Sequence, residues 1–184
     1  MIALVRHGQT DLNLQGRLQG GGSDRPLNDT GIAQAHAAVD ALRDTGVEWD
    51  VVVSSPLVRA RRTAEIVADG LGLDLGPALP GLTERDYGEL EEADEDEVER
   101  LWPGKTEPTI EPLTSVVRRG LHALDDIRSD YGERNVVAVC HGTIIRYTLS
   151  EIVGRKLPHP DNATVSLVEW DAGWVVRTIG GDPV

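Results

Sequence analysis

Three short apolar runs punctuate the chain: Ile2-Ala3-Leu4-Val5, Val51-Val52-Val53 and the stretch from Val136 to Cys140. Each is too short for a helix, and an unbroken apolar run rich in β-branched residues predicts a strand buried on both faces. Between the runs the period changes. Ile32, Ala35, Val39 and Leu42 fall at helical spacing and predict a helix from a cap at Asn28 or Thr30 to about Asp44, with Gly46 as its stop. Ser55-Pro56 reads as an N-cap followed by proline at the first helical position, opening a helix that stops at Gly70 or Gly72. Val117, Leu121, Leu124 and Ile127 share one face of an expected helix over residues 114–129, and residues 142–153 suit another. Residues 79–82 are expected to be a short extended piece. Residues 165–170 and 174–179 flank Asp171-Ala172-Gly173, the pattern of a hairpin. Strands alternating with helices predict an α/β fold, with a mostly parallel sheet covered on both faces and an antiparallel strand near the end. No repeat or linker divides the chain, so residues 1–184 are expected to form a single domain.

The chemistry gathers just past the end of each strand. The first run ends in Arg6-His7-Gly8, the second in Ser54-Ser55-Pro56 with Arg59 a turn later, and the third in His141-Gly142-Thr143. Ligands of open α/β sheets bind at the carboxyl ends of strands. Three distant segments therefore deliver two imidazoles, two guanidiniums and two helix N-termini to one edge. Phosphate fits that edge best. Guanidiniums match its oxygens, helix N-termini offer unpaired N–H groups, and Gly8 and Gly142 allow close backbone approach. A histidine unprotonated on its inward nitrogen can attack phosphorus, and a leaving alkoxide then needs a proton from a nearby carboxylic acid. Glu84, in Leu82-Thr83-Glu84-Arg85, is the candidate by position.

Charge sharpens this reading. The chain carries 18 Lys and Arg against 31 acids, a net charge of −13, so an anion-binding edge on it is specific rather than general. Such acidity, with only 4 Trp, 3 Tyr and no Phe, argues against nucleic acid and against an anionic membrane as partners. Runs of five apolar residues are too short for a membrane span or a secretory signal, and 1 Cys permits no internal disulfide, so a reducing cytoplasm is the expected location. Eight of the eleven residues from Glu89 to Glu99 are acidic, which reads as a solvated loop or short exposed helix.

The stretch from Leu4 to Asn13, Leu-Val-Arg-His-Gly-Gln-Thr-Asp-Leu-Asn, resembles the opening signature of the histidine phosphatase superfamily, in its phosphoglycerate mutase-like branch. The likeness recurs at residues 54–64, at Leu82-Thr83-Glu84-Arg85-Asp86-Tyr87-Gly88, and at Val139-Cys140-His141-Gly142. The resemblance implies a three-layer α/β/α sandwich, mostly parallel with one antiparallel strand, and a reaction without metal or other cofactor. By position it makes His7 the phosphorylated nucleophile, completes the phosphate pocket with Arg6, Arg59 and His141, and adds Asn13 and Gly142-Thr143 as further phosphate contacts. Glu84 becomes the proton donor and then the base for water.

Other residues read more plainly. Arg61 and Arg62 suit a solvated helix face, each within reach of Glu65. Gln9 has no assigned role, and Thr10 suits a turn cap. His36, His122 and His159 lie at no metal-ligand spacing and read as surface or core residues. Gly20-Gly21-Gly22 lacks the Lys-Ser/Thr of a P-loop and reads as a flexible turn. Cys140 and Arg146 share the Cys-x5-Arg spacing of cysteine-dependent phosphatases. The residues around them, Val139, Ile144, Ile145 and Tyr147, do not suit that loop.

The expected activity is hydrolysis of a small phosphorylated metabolite, making the protein a phosphoric monoester hydrolase of the histidine acid type. A mutase handling bisphosphates needs a basic mouth, and residues 85–108 offer only Arg85, Arg100 and Lys105 among many acids. The alternatives are a mutase-type phosphotransferase and a non-catalytic phosphate-binding module. If the acidic segment is a lid, it should repel highly anionic substrates and favour a neutral or cationic body. The one protein partner left open is a second copy of the chain, in a homodimer.

Overall fold

Alternation inside the apolar runs sorts their side chains onto the two faces of one sheet. The computed structural model describes residues 1–184. Its elements in chain order are β1 (Ile2–Arg6), the single-turn α1 (Asp11–Leu14), α2 (Asp29–Asp44), β2 (Val51–Ser54), α3 (Val58–Leu71), β3 (Leu75–Ala78), α4 (Glu95–Leu101), α5 (Leu113–Tyr131), β4 (Val136–Cys140), α6 (Gly142–Val153), β5 (Val165–Trp170), β6 (Trp174–Ile179) and the two-residue β7 (Asp182–Pro183). The seven strands form one sheet in the order β3-β2-β4-β1-β5-β6-β7. β3, β2, β4 and β1 are parallel. β5 runs against β1, β6 against β5, and the short β7 against β6.

Ala3, Val5, Val52, Val137 and Val139 pack with Ala38, Val39 and Leu42 of α2 and Ala60, Ala64 and Val67 of α3. Ile2, Leu4, Val51, Val53, Val136, Ala138 and Cys140 pack instead with Val116, Leu124 and Ile127 of α5 and Ile144, Ile145 and Leu149 of α6. The result is a three-layer α/β/α sandwich. Burying each Val or Leu contributes roughly 1.5–3 kcal/mol, enough to fix the register at which the strand ends meet. No helix is long and apolar enough to cross a membrane.

Several local expectations shift. Residues 79–82 are not extended: Pro80–Leu82 form a 3-10 turn, and the strand lies just before it in β3, an edge position that tolerates Pro77. The buried stripe of α5 is Val116, Gly120, Ala123, Leu124 and Ile127, so Val117 and Leu121 are only half-buried. Ser55 does not cap α3. That helix starts at Val58, whose amide is received at 2.7 Å by Asp24 from a distant loop, and Ser55 is free for another partner.

The acidic segment is more built than its charge suggests. Leu18, Tyr87, Val98 and Ile110 form a small apolar cluster beneath it. Glu91 accepts the amides of Gly20 at 2.8 Å, Gly22 at 3.1 Å and Tyr87 at 3.0 Å. Glu92 takes both Arg25 and Ser23, which lower its pKa to about 2. The triple glycine is therefore a hydrogen-bonded loop rather than a free turn. At Gly20 a Cβ would lie 2.2 Å from the Arg85 carbonyl, so only glycine fits.

Candidate active site

Parallel pairing of β1 with β4 sets Arg6 opposite Cys140, and the His7 amide continues the ladder by donating to the Cys140 carbonyl at 3.0 Å. The next residue, His141, is the extended N-cap of α6, and the two imidazoles meet with ring centroids 5.1 Å apart. Both are buried. His7 Nδ1 lies 2.7 Å from the Gly8 carbonyl, an acceptor, so Nδ1 carries the proton and Nε2 keeps a lone pair with no protein partner. His141 Nε2 lies 2.7 Å from Ser55 Oγ at the end of β2. Burial first, and then the Arg59 and Arg6 charges, hold both imidazoles well below the usual histidine pKa, in the neutral form.

Two guanidiniums close the pocket. Arg59 is fully buried, and donates to the carbonyls of Ser23 at 2.7 Å and Gly20 at 3.0 Å. Arg6 donates to the Pro160 carbonyl at 2.7 Å. Neither pairs with a carboxylate, and each leaves its Nε buried without a partner. Burial lowers the Arg59 pKa to about 10, which leaves it charged at neutral pH.

Glu84 is brought to the same place by the turn after Pro80–Leu82. Its carboxylate accepts the amides of Thr143 at 2.9 Å and Ile144 at 3.2 Å, at the start of α6, and of Arg85 at 2.7 Å. These bonds and the two arginines favour the ionised form, yet burial outweighs them and raises the pKa. Asn13 is linked to His7 through Asn162: its Oδ1 accepts from the Thr10 amide and from Asn162, which also donates to the His7 carbonyl. Thr143 gives its amide to Glu84 and shares its hydroxyl with Tyr87 at 3.1 Å, so of the Gly142-Thr143 pair the Gly142 amide is the group outside these bonds. No three His, Cys, Asp or Glu side chains gather closely enough to hold a metal ion.

A cleft of about 360 Å³ opens from Thr143 and Tyr87. Glu95, Asp96 and Glu99 of α4 form one wall, with Arg146, Tyr147, Lys156 and His159 opposite. The acidic segment does stand over the cleft, but four cations (Arg85, Lys105, Arg146 and Lys156) face its three acids, and Lys105 already pairs with Glu95 at 3.1 Å and Glu99 at 3.6 Å. Glu97 pairs with Arg100 and does not line the cleft.

A family model for the histidine phosphatase superfamily (branch 1) matches residues 2–180. The chain belongs to that superfamily. Among its relatives, an uncharacterised phosphatase PhoE of Bacillus subtilis (strain 168) is 39% identical over 153 residues, 83% of this chain and 77% of that protein. A probable phosphoglycerate mutase GpmB of Yersinia pestis (strain Pestoides F) is 32% identical over 203 residues, 97% of this chain and 92% of its own. The solved structure of Bacillus stearothermophilus YhfR superposes with a TM-score of 0.85 at 25% identity, covering 100% of this chain and 97% of that one. A mycobacterial glucosyl-3-phosphoglycerate phosphatase shares the fold, with a TM-score of 0.84 at 24% identity over 98% of both chains.

The histidine phosphatase motifs thus converge: Arg6, His7, Asn13, Arg59, Glu84, His141, Gly142 and Thr143 all lie at one edge of the sheet. Cys140 does not join them. It is buried among Ile144 and Ile145, and burial raises its thiol pKa. Arg146, its supposed partner, bonds the Leu157 carbonyl through Nε and lines the outer cleft. Arg61 leaves the solvated face to donate to the Gly76 carbonyl at 2.9 Å, while Arg62 does pair with Glu65.

Four neighbours escaped the sequence reading. Gln19 is buried with its Nε2 unpartnered, and its Oε1 accepts from Thr10. Ser55 faces His141, and Glu91 anchors the loop whose carbonyls hold Arg59. His159, read as an ordinary surface or core residue, lies against Gly142 and 3.4 Å from Arg6 at the cleft. Desolvation and then the Arg6 charge lower its pKa to about 4. Gln19 stood beside the triple glycine, Ser55 within the Ser-Pro pattern and Glu91 within the acidic run, but the contacts that give each its place join segments far apart in sequence.

Proposed function

We propose that the protein is a phosphomonoesterase that hydrolyses a small phosphorylated metabolite through a phosphohistidine on His7, without a metal ion. One observation carries this reading: the fully buried guanidinium of Arg59 and the part-buried one of Arg6, neither with a carboxylate partner, stand beside two neutral imidazoles. An unpaired buried cation costs several kcal/mol, a penalty that a bound dianion removes.

In the first step His7 Nε2 attacks phosphorus, the P–N bond forms and the bond to the leaving oxygen breaks. Arg6, Arg59 and His141 hold the transferring oxygens. Glu84 enters protonated and gives its proton to the departing alkoxide. In the second step the Glu84 carboxylate takes a proton from water, the water oxygen attacks phosphorus, and the P–N bond breaks to release phosphate and restore His7. Asn13 and the Gly142 amide serve as further donors to the phosphate.

A second reading, transfer of the phosphoryl group to another substrate oxygen, draws support from Arg146 and Lys156. They add to the two basic side chains, Arg85 and Lys105, that residues 85–108 bring to the mouth. Product analysis separates the two. Phosphomonoesters incubated in EDTA with wild type and with His7→Ala should release inorganic phosphate only with wild type. Isomerised phosphoester without free phosphate would favour transfer. Release by His7→Ala would remove the phosphohistidine step, and phosphate uptake without turnover would leave a binding module.

A further inference from the structure

Ser55 lies outside all the roles assigned above, yet it is fully buried and makes the only hydrogen bond of the His141 ring. We propose that Ser55 is a positioning residue that locks His141 into the tautomer bearing its proton on Nδ1, so that this nitrogen can donate to a bound phosphate. The inference rests on the phosphate pocket proposed above.

The hydrogen bonds decide the direction. Ser55 Oγ already accepts the Leu57 amide at 3.3 Å, and the hydroxyl proton has one neighbour able to receive it, His141 Nε2 at 2.7 Å. If Ser55 donates there, Nε2 is the lone-pair nitrogen and a neutral ring must carry its proton on Nδ1. Nδ1 is buried and has no partner in the protein. A buried N–H with no acceptor is costly to leave unsatisfied, and beside Arg6 and Arg59 the fitting acceptor is an anionic oxygen. The opposite tautomer fails twice. It leaves the Ser55 hydroxyl proton without an acceptor, and it turns a lone pair toward the anion, where two acceptors repel. Burial among positive charges keeps the ring neutral, so the tautomer rather than the charge determines what His141 offers.

The same logic separates the two histidines. The Gly8 carbonyl is a pure acceptor and puts the His7 proton on Nδ1, freeing Nε2 as nucleophile. The Ser55 hydroxyl acts as donor and frees Nδ1 of His141 as a hydrogen-bond donor. One ring is set to attack and the other to bind, each through the group behind it.

The test is nitrogen-15 NMR on protein labelled at histidine, with His141 signals identified by their loss in His141→Gln. Wild type without ligand should show His141 protonated on Nδ1, and inorganic phosphate should perturb that nitrogen. In Ser55→Ala the Nδ1-protonated form should give way to the other tautomer or a mixture. Phosphate affinity should fall, kcat should fall about 10²- to 10³-fold, as when one oxyanion donor is lost, and Ser55→Thr should restore most of both. A His141 protonated on Nε2 in wild type overturns the proposal whatever the activity. An unchanged tautomer and kcat in Ser55→Ala also overturn it. Failure of the phosphatase reading shows separately, as wild type that neither turns over phosphomonoesters nor responds to phosphate.

Discussion

Glu84 accepts the amide of Thr143 at 2.9 Å, which ties the acid to the helix that begins at His141. The position of the acid is therefore set by the same helix N-terminus that carries the second imidazole. The same bond stabilises the carboxylate, so the raised pKa of Glu84 is the balance of burial over its backbone amides and two arginines. Activity should decline as pH rises through that raised value, because the proton donor is lost. Glu84→Gln should lower kcat by about 10²–10⁴ for alkyl phosphates. The loss should be much smaller for an aryl ester such as p-nitrophenyl phosphate, whose leaving group needs little protonation. Equal losses for both substrates would show that Glu84 does not protonate the leaving oxygen.

Stability should depend on pH through the two histidines. Their folded pKa values are depressed, so the unfolded chain binds protons more readily once pH falls below about 6.5. Their contribution is complete above that value and is lost as pH falls, by up to about 1.4 kcal/mol per pH unit for each group. Glu84 acts with the opposite sign, since its raised pKa gives stability present below the usual carboxylate range and lost as pH rises through its folded value. Urea unfolding from pH 7 to pH 5 should show falling stability in wild type and a flatter profile in His141→Gln. Parallel profiles would mean that the His141 ring is not held neutral in the fold.

Arg119 holds the Glu84 turn from behind. It donates to the carbonyls of Gly81, Thr83 and Glu84, and pairs with Glu111 at 2.9 Å. Arg119→Met should cost roughly 1–3 kcal/mol in chemical denaturation, since three carbonyls lose this donor while Glu111 keeps the Ser115 hydroxyl and the Asp86 amide. Its kinetic effect should fall on kcat more than KM, because the phosphate donors stay in place.

Gly142 and His159 should show coupled effects. A Cβ on residue 142 would lie 2.0 Å from His159 Cε1, so Gly142→Ala must displace that ring from the cleft wall. Gly142→Ala should lower kcat/KM by about 10-fold or more, the scale of a small misplacement in a reacting site. Combining it with His159→Ala should recover part of the loss. A double-mutant cycle reads the coupling, and strictly additive losses would place the effect elsewhere.

Local signals were legible in the sequence, and distant ones were not. The runs at β1, β2 and β4 declare themselves because both faces of a central parallel strand are buried. Asn28 was readable as a cap because its acceptor serves the nearby Gly31 amide. The edge strand β3 was hidden, since Leu-Gly-Pro-Ala carries no strand signal and forms only because β2 offers an open edge. Ser55-Pro56 misled for a related reason: the local cap pattern was present, but Asp24 took the cap and His141 took the serine. The chemistry at the strand ends was visible because Arg6-His7 and His141 are contiguous with their strands. Glu91, Arg119 and His159 reach groups distant in sequence, many of them backbone atoms that any residue supplies, and such contacts leave no mark on composition or period. The acidic run shows the limit most clearly, since identical carboxylates became a loop clasp at Glu91, a surface ion pair at Glu97 and a cleft wall at Asp96.

The central claim is the phosphoryl group on His7 Nε2. Acid-quench trapping with a phosphorus-32 phosphomonoester, followed by alkaline digestion and mass spectrometry, tests it most directly. A phosphohistidine mechanism predicts an acid-labile, base-stable label on the peptide containing His7, formed within the first turnover, accumulating further in Glu84→Gln with an aryl ester and absent in His7→Ala. Turnover with no label at His7, or a label on another residue, would contradict it.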